Sequence, residues 1–109
     1  MIDEILQKAG FEKGVTYAQA VFKFPPTKPF VVYFDDFDTS PGSDLCADLT
    51  EHNVTFELYV PAKEAPQLEK AIEAQLKTHN IQFQKTGRTW IQSERYFLTV
   101  YEFSYFEKE

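Results

Sequence analysis

Five carboxylates crowd the stretch from Asp35 to Asp48: Asp35, Asp36, Asp38, Asp44 and Asp48. Clustered oxygens of this kind bind hard cations such as Ca²⁺ when a loop supplies about six to eight ligands. The best register puts Asp36, Asp38 and Ser40 at the first, third and fifth positions of a calcium loop, and there the match ends. Pro41 stands where the turn requires Gly, and Ala47 replaces the closing Glu. The pattern points to a solvated acidic loop. Where such a loop has a function, a charged contact or a lumen-facing surface suits it better than a metal site.

The remaining reactive side chains are as sparse. His52 and His79 lack a second His or Cys at ligand spacing. His79 falls at the end of a predicted helix, where an imidazole interacts well with the helix dipole. Cys46 is the only cysteine, so no intramolecular disulfide forms. Its neighbours Asp44 and Asp48 raise a thiol pKa, the wrong direction for a nucleophilic thiolate. Paired carboxylates for glycoside chemistry need a cleft, and Glu57 and Glu102 fall on strand faces. The four glycines, at 10, 14, 42 and 87, are too scattered to cradle a phosphate. No catalytic residue, cofactor site or metal ligand is expected. The aromatic row Phe97, Tyr101, Phe103 and Tyr105 has the chemistry to stack on bases. With a net charge of −6 and no basic groove beside it, core packing or a protein interface is the better expectation.

These residues must be positioned by a small set of elements. Ile2, Ile5, Leu6 and Ala9 predict a helix over 2–9, with Asp3 and Glu4 in its first turn and Gly10 as the residue that ends it. Residues 15–22 alternate weakly and read as a strand or extended arm. Pro25 and Pro26 stop regular pairing, and Pro29 opens an apolar strand, Phe30 to Phe34. The acidic loop follows, its linker-like part spanning 38–47, which is long for a connection between paired strands. Residues 48–60 predict a half-buried strand, with Val54, Phe56, Leu58 and Val60 on one face. Residues 65–79 predict the best helix, with Pro66 in its first turn, an apolar stripe of Leu68, Ile72 and Leu76 with Ala71 beside it, and a Glu73–Lys77 pair. Asn80 is placed to end it. Strands follow at 81–85, at 89–92 and at 96–106, the last bulky on both faces and hence central or covered on both sides. The residues after 106 read as a frayed polar end. The expectation is one α+β domain over 1–109, a mixed, mostly antiparallel sheet of four to five strands with two helices packed on one face.

The length of 109 residues permits one modest core. Aromatics make up 17% of the chain, which leaves dense packing and an interaction surface equally open. The acidic balance argues against tight binding of nucleic acid or of anionic membranes. The acidic N-terminus, Met1-Ile2-Asp3-Glu4, and the lack of a long apolar run predict a cytosolic chain.

From Pro29 onward the chain resembles the small head–tail joining or tail-completion proteins of long-tailed phages and prophages of Gram-positive hosts. The residues that carry the resemblance are Lys28-Pro29-Phe30-Val31-Val32-Tyr33-Phe34, Val54-Thr55-Phe56-Glu57-Leu58-Tyr59-Val60, Gln67-Leu68-Glu69-Lys70-Ala71-Ile72, Ile81-Gln82-Phe83-Gln84-Lys85, Ile91-Gln92-Ser93-Glu94 and Tyr96 to Phe103. Val15-Thr16-Tyr17 and Pro25-Pro26 also fit. The acids at 35–38 depart from the pattern. The resemblance implies a virion structural protein without enzymatic activity, similar to tail terminators that form a ring, often a hexamer, between tail tube and head connector. It implies a place in the bacterial cytoplasm during assembly and at the virion neck or tail end afterwards. The competing reading is an acidic cytosolic binding or inhibitor module without catalysis.

Overall fold

The alternation from Val54 to Val60 becomes part of the strand on which the molecule is organised. In the computed structural model, which describes residues 1–22, 26, 29–40, 49–61, 65–93 and 95–108, the elements run α1 (Ile2–Lys8), β1 (Tyr17–Gln19), β2 (Phe30–Ser40), β3 (Leu49–Val60), α2 (Ala65–Thr78), β4 (Phe83–Lys85), β5 (Thr89–Ile91) and β6 (Tyr96–Lys108). The fold is α+β with a mixed sheet of six strands, larger than the four to five expected, because the short segments at 17–19 and 89–91 both pair. The order is β1-β2-β3-β6-β4, with β5 on β6 beside β4. Only β1 on β2 is parallel.

Period-two alternation splits every long strand between two faces. One face carries Val31 and Tyr33 of β2, Val54, Phe56, Leu58 and Val60 of β3, and Thr99, Tyr101 and Phe103 of β6, in register across the sheet. Both helices cover it. Ile2, Ile5 and Leu6 of α1 and Ile72 and Leu76 of α2 join these residues in a single core. β6 is central in the sheet: β3 pairs with one edge, β4 and β5 with the other.

Local chemistry sets the ends of the elements. α1 stops at Gly10, whose φ of +103° few other residues adopt. The next residue, Phe11, is buried and donates its backbone N–H to Leu6. Asn80 ends α2 in the left-handed region at φ +57°. A parallel pair cannot be joined by a tight turn. After β1 the chain therefore leaves the core, and Phe22 packs edge-on against Phe30, at 5.4 Å between ring centroids, on the face opposite the helices.

The acidic segment departs from expectation. Asp35, Asp36 and Asp38 lie in β2, not in a loop, and pair in register with Val54, Asn53 and Glu51. Likewise Glu107 and Lys108 belong to β6 and are not a frayed end. The ladder continues because β3 is twelve residues long and offers a template on both edges beyond the helix-covered core. The result is a three-stranded arm: residues 34–40 of β2, 49–55 of β3 and 102–108 of β6. The molecule extends 51 × 28 × 22 Å, and its radius of gyration is 15.2 Å where about 13 Å suits a compact chain of this length. Residues 41–48, which include Asp44, Cys46 and Asp48, lie outside the described residues.

Candidate interaction surface

The arm is a short sheet with two open edges. β1 pairs with β2 only at Val31–Tyr33, and β4 with β6 only at Tyr101–Phe103. Among the described residues no strand pairs with the outer edge of β2 from Phe34 on, nor with that of β6 beyond Phe103. Such edges template pairing with another chain, and acidic side chains along them restrain that pairing. The arm carries Asp35, Asp36, Asp38, Glu51, Glu102 and Glu107 against one lysine, Lys108. It also exposes Phe37 (67%), Phe106 (64%) and Phe34 (37%).

At its centre sits His52. The imidazole Nδ1 lies 2.9 Å from both carboxylate oxygens of Asp35, and Nε2 lies 3.1 Å from Oε2 of Glu107. One side chain of the middle strand thus ties both flanking strands together. Each ring nitrogen faces an acceptor, so both contacts are hydrogen bonds only when both nitrogens carry hydrogen. Tyr105 stacks on the ring at 4.5 Å and 5°, and Phe37 leans on it at 6.0 Å. Burial, with the Asp35 and Glu107 carboxylates close by, pushes the Tyr105 hydroxyl up to about 12. An Asp–His pair is two of the three members of a nucleophile-activating triad, but here the second ring nitrogen is taken by a carboxylate, not by a hydroxyl or thiol. The arrangement acts as a clip between strands.

The predicted site residues divide accordingly. Asp35 is inward-facing and spent on His52. Asp36 is exposed on the arm. Asp38 lies on the same strand by its backbone, and its side chain, like Asp44 and Asp48, is outside what is described. Tyr101 and Phe103 are buried core residues, so they are not surface contacts of the single chain. Phe97 and Tyr105 are half-buried, Phe97 against Trp90 at 4.9 Å. His79 sits at the C-terminus of α2 as expected, its Nδ1 2.9 Å from the Gln75 carbonyl.

Sequence reasoning missed Glu69. It is only 2% exposed and lies where α2 meets the sheet. Arg88 Nε donates to its Oε2 at 2.6 Å and Lys85 Nζ to its Oε1 at 2.8 Å. Thr99 Oγ1 adds a bond of 3.0 Å. Lys85 also donates to Glu73 at 2.8 Å, as does Tyr101 at 2.7 Å, so Glu73 reaches across to the sheet and does not pair with Lys77. Burial pushes the Glu69 carboxyl up, but the bonds from Arg88, Lys85 and Thr99 outweigh it and hold the group below the usual carboxylate range. The signal was present: Ala65, Glu69, Ile72 and Leu76 are spaced as one buried helix face. Both carboxylate oxygens are engaged, so the network is a strut between α2 and the β4–β5 segment.

Among the described residues no cluster of three or more His, Cys, Asp or Glu is arranged to hold a metal ion, and no helix is long and apolar enough to cross a membrane. Compared with known families and curated proteins, the chain matches no family model and no curated sequence.

Proposed function

We propose that this chain is a structural assembly subunit of the head–tail joining or tail-terminator type, acting by self-association and by binding other virion proteins, with no catalytic step. The observation that carries the reading is the arm. An elongated, open-edged sheet extension with exposed Phe37 and Phe106 is poorly suited to an isolated monomer and well suited to a subunit whose edges meet neighbours. A subunit lining a passage for DNA benefits from the acidic arm, because carboxylates repel the phosphate backbone and let it slide. Head connector and tail tube are the partners this role requires, and a closed ring such as a hexamer is the symmetry that suits it.

The test is the solution mass of the purified protein by light scattering over a concentration series, with negative-stain imaging of large species and pull-downs on purified connector and tail tube. Rings, or binding to either partner, are expected. A monomer at all concentrations that binds neither removes the reading. The acidic arm also favours a second reading, a module that docks a basic partner. That reading predicts capture of one basic protein, lost above physiological salt.

A further inference from the structure

The sheet face opposite the helices carries a groove at the end remote from the arm. Val21, Phe22, Phe30, Tyr59, Ile91 and Tyr96 line a cavity of about 360 Å³. Its floor is fixed by aromatic contacts: Phe30 stacks on Tyr59 at 4.9 Å and meets the edge of Tyr96 at 5.7 Å. Val21, on the rim, is 73% exposed. The same sheet face, followed along β2 and β6, carries the exposed ring of Phe34 at the root of the arm and that of Phe106 near its end. One face therefore has an aromatic recess at one end and an aromatic knob near the other.

Charge is divided along the same axis. The arm has six carboxylates and one lysine. The rest of the described chain has seven cations (Lys8, Lys13, Lys70, Lys77, Lys85, Arg88 and Arg95) against six carboxylates (Asp3, Glu4, Glu12, Glu57, Glu69 and Glu73). Arg95 is exposed, adjoins Tyr96 of the groove, and pairs with no carboxylate among the described residues. The one carboxylate in the groove, Glu57, accepts a hydrogen bond from Tyr59 at 3.0 Å.

We propose that the groove receives the arm tip of a second copy of this chain, Phe106 entering the aromatic recess and the acidic strands lying beside Arg95. The contact rests on the self-association reading and specifies its geometry. It is head-to-tail. Reciprocal stacking of two such faces would bring Glu57 and Glu102 of each copy over those of the other, like charges that oppose it. Head-to-tail contacts repeat from copy to copy, and they close into a ring where the rotation permits.

The experiment uses the full chain with Cys46→Ser, in two populations carrying Val21→Cys on the groove rim or Ser104→Cys beside Phe106, mixed under mild oxidation. Both positions are exposed, so the core is untouched. The expected result is a mixed Val21–Ser104 cross-link in excess over either homodimer, lost when Phe106→Ser is added to the Ser104→Cys chain and weakened by Arg95→Glu. Predominant Ser104→Cys homodimers would show tip-to-tip pairing and overturn the inference. Assembly seen by light scattering without the mixed product would also overturn it while leaving self-association standing. Monomeric mass throughout removes both.

Discussion

Glu69 shows how one buried charge is made tolerable. A lone buried carboxylate is costly, and this one is held by Arg88, Lys85 and Thr99. Glu69→Gln is expected to cost about 1–3 kcal/mol, because it weakens charge-assisted bonds and orients an amide donor toward cations; denaturant unfolding measures it. The folded-state pKa of Glu69 and of Glu73 lies below the unfolded value. Their contribution to stability is therefore present above the unfolded carboxylate pKa and lost as pH falls through the folded one. Lys85 is shifted up by its bonds to Glu69 and Glu73. Its contribution holds below the unfolded lysine pKa and is lost as pH rises through the folded value. Urea midpoints in Glu69→Gln should accordingly fall less with acid than in the parent chain. At Gly10 an added methyl group would meet no atom within 4 Å, yet φ is +103°. Gly10→Ala should cost about 1 kcal/mol through backbone strain alone, and a thermal melt reads it.

The arm is the element on which the proposed function turns, and His52 is its clip. His52→Leu removes the bonds to Asp35 and Glu107 and leaves Asp35, largely buried, without its partner. Amide hydrogen exchange in 34–40 and 103–108 should accelerate at least tenfold, while exchange in α2 and in 56–60 stays unchanged. Equal acceleration everywhere would show that the arm and the core open together. Asp36 faces away from His52, so Asp36→Asn with Asp38→Asn is expected to leave the unfolding free energy within about 0.5 kcal/mol of the parent and to change assembly or its salt dependence. An unchanged light-scattering profile would remove the acids from the proposed role.

At the scale of the whole molecule, the proposed function gives the core and the arm separate tasks. Phe56 is fully buried at the centre of the helix-covered face, against Phe103 at 5.0 Å and Tyr33 at 6.4 Å. Phe56→Ala should cost about 3–5 kcal/mol, enough to unfold a domain of this size under mild denaturant. Phe106→Ser, at 64% exposure, should leave folding unaffected while lowering the mass of any assembly. That contrast, read by circular dichroism and light scattering on the same samples, separates loss of fold from loss of contact.

Periodicity in the sequence determined where the core strands and helices lie. Val54 to Val60 alternate, the residues of α1 and α2 repeat at three and four, and β6 is bulky on both faces. Each pattern reports burial of one or both faces, which is a local property of the chain. It also determined that Gly10 and Asn80 end helices, since positive φ is a local constraint. Only the tertiary structure decided the fate of the acidic segment. Asp35-Asp36-Phe37-Asp38 has the composition of a loop and becomes a strand because β3 supplies the hydrogen-bonding edge and the His52 ring meets the inward carboxylate at 2.9 Å. Tertiary packing likewise paired the weak strand 17–19 and made Glu69 a strut. It brought together Asp35, His52 and Glu107, whose proximity depends on strand register between segments far apart in the chain.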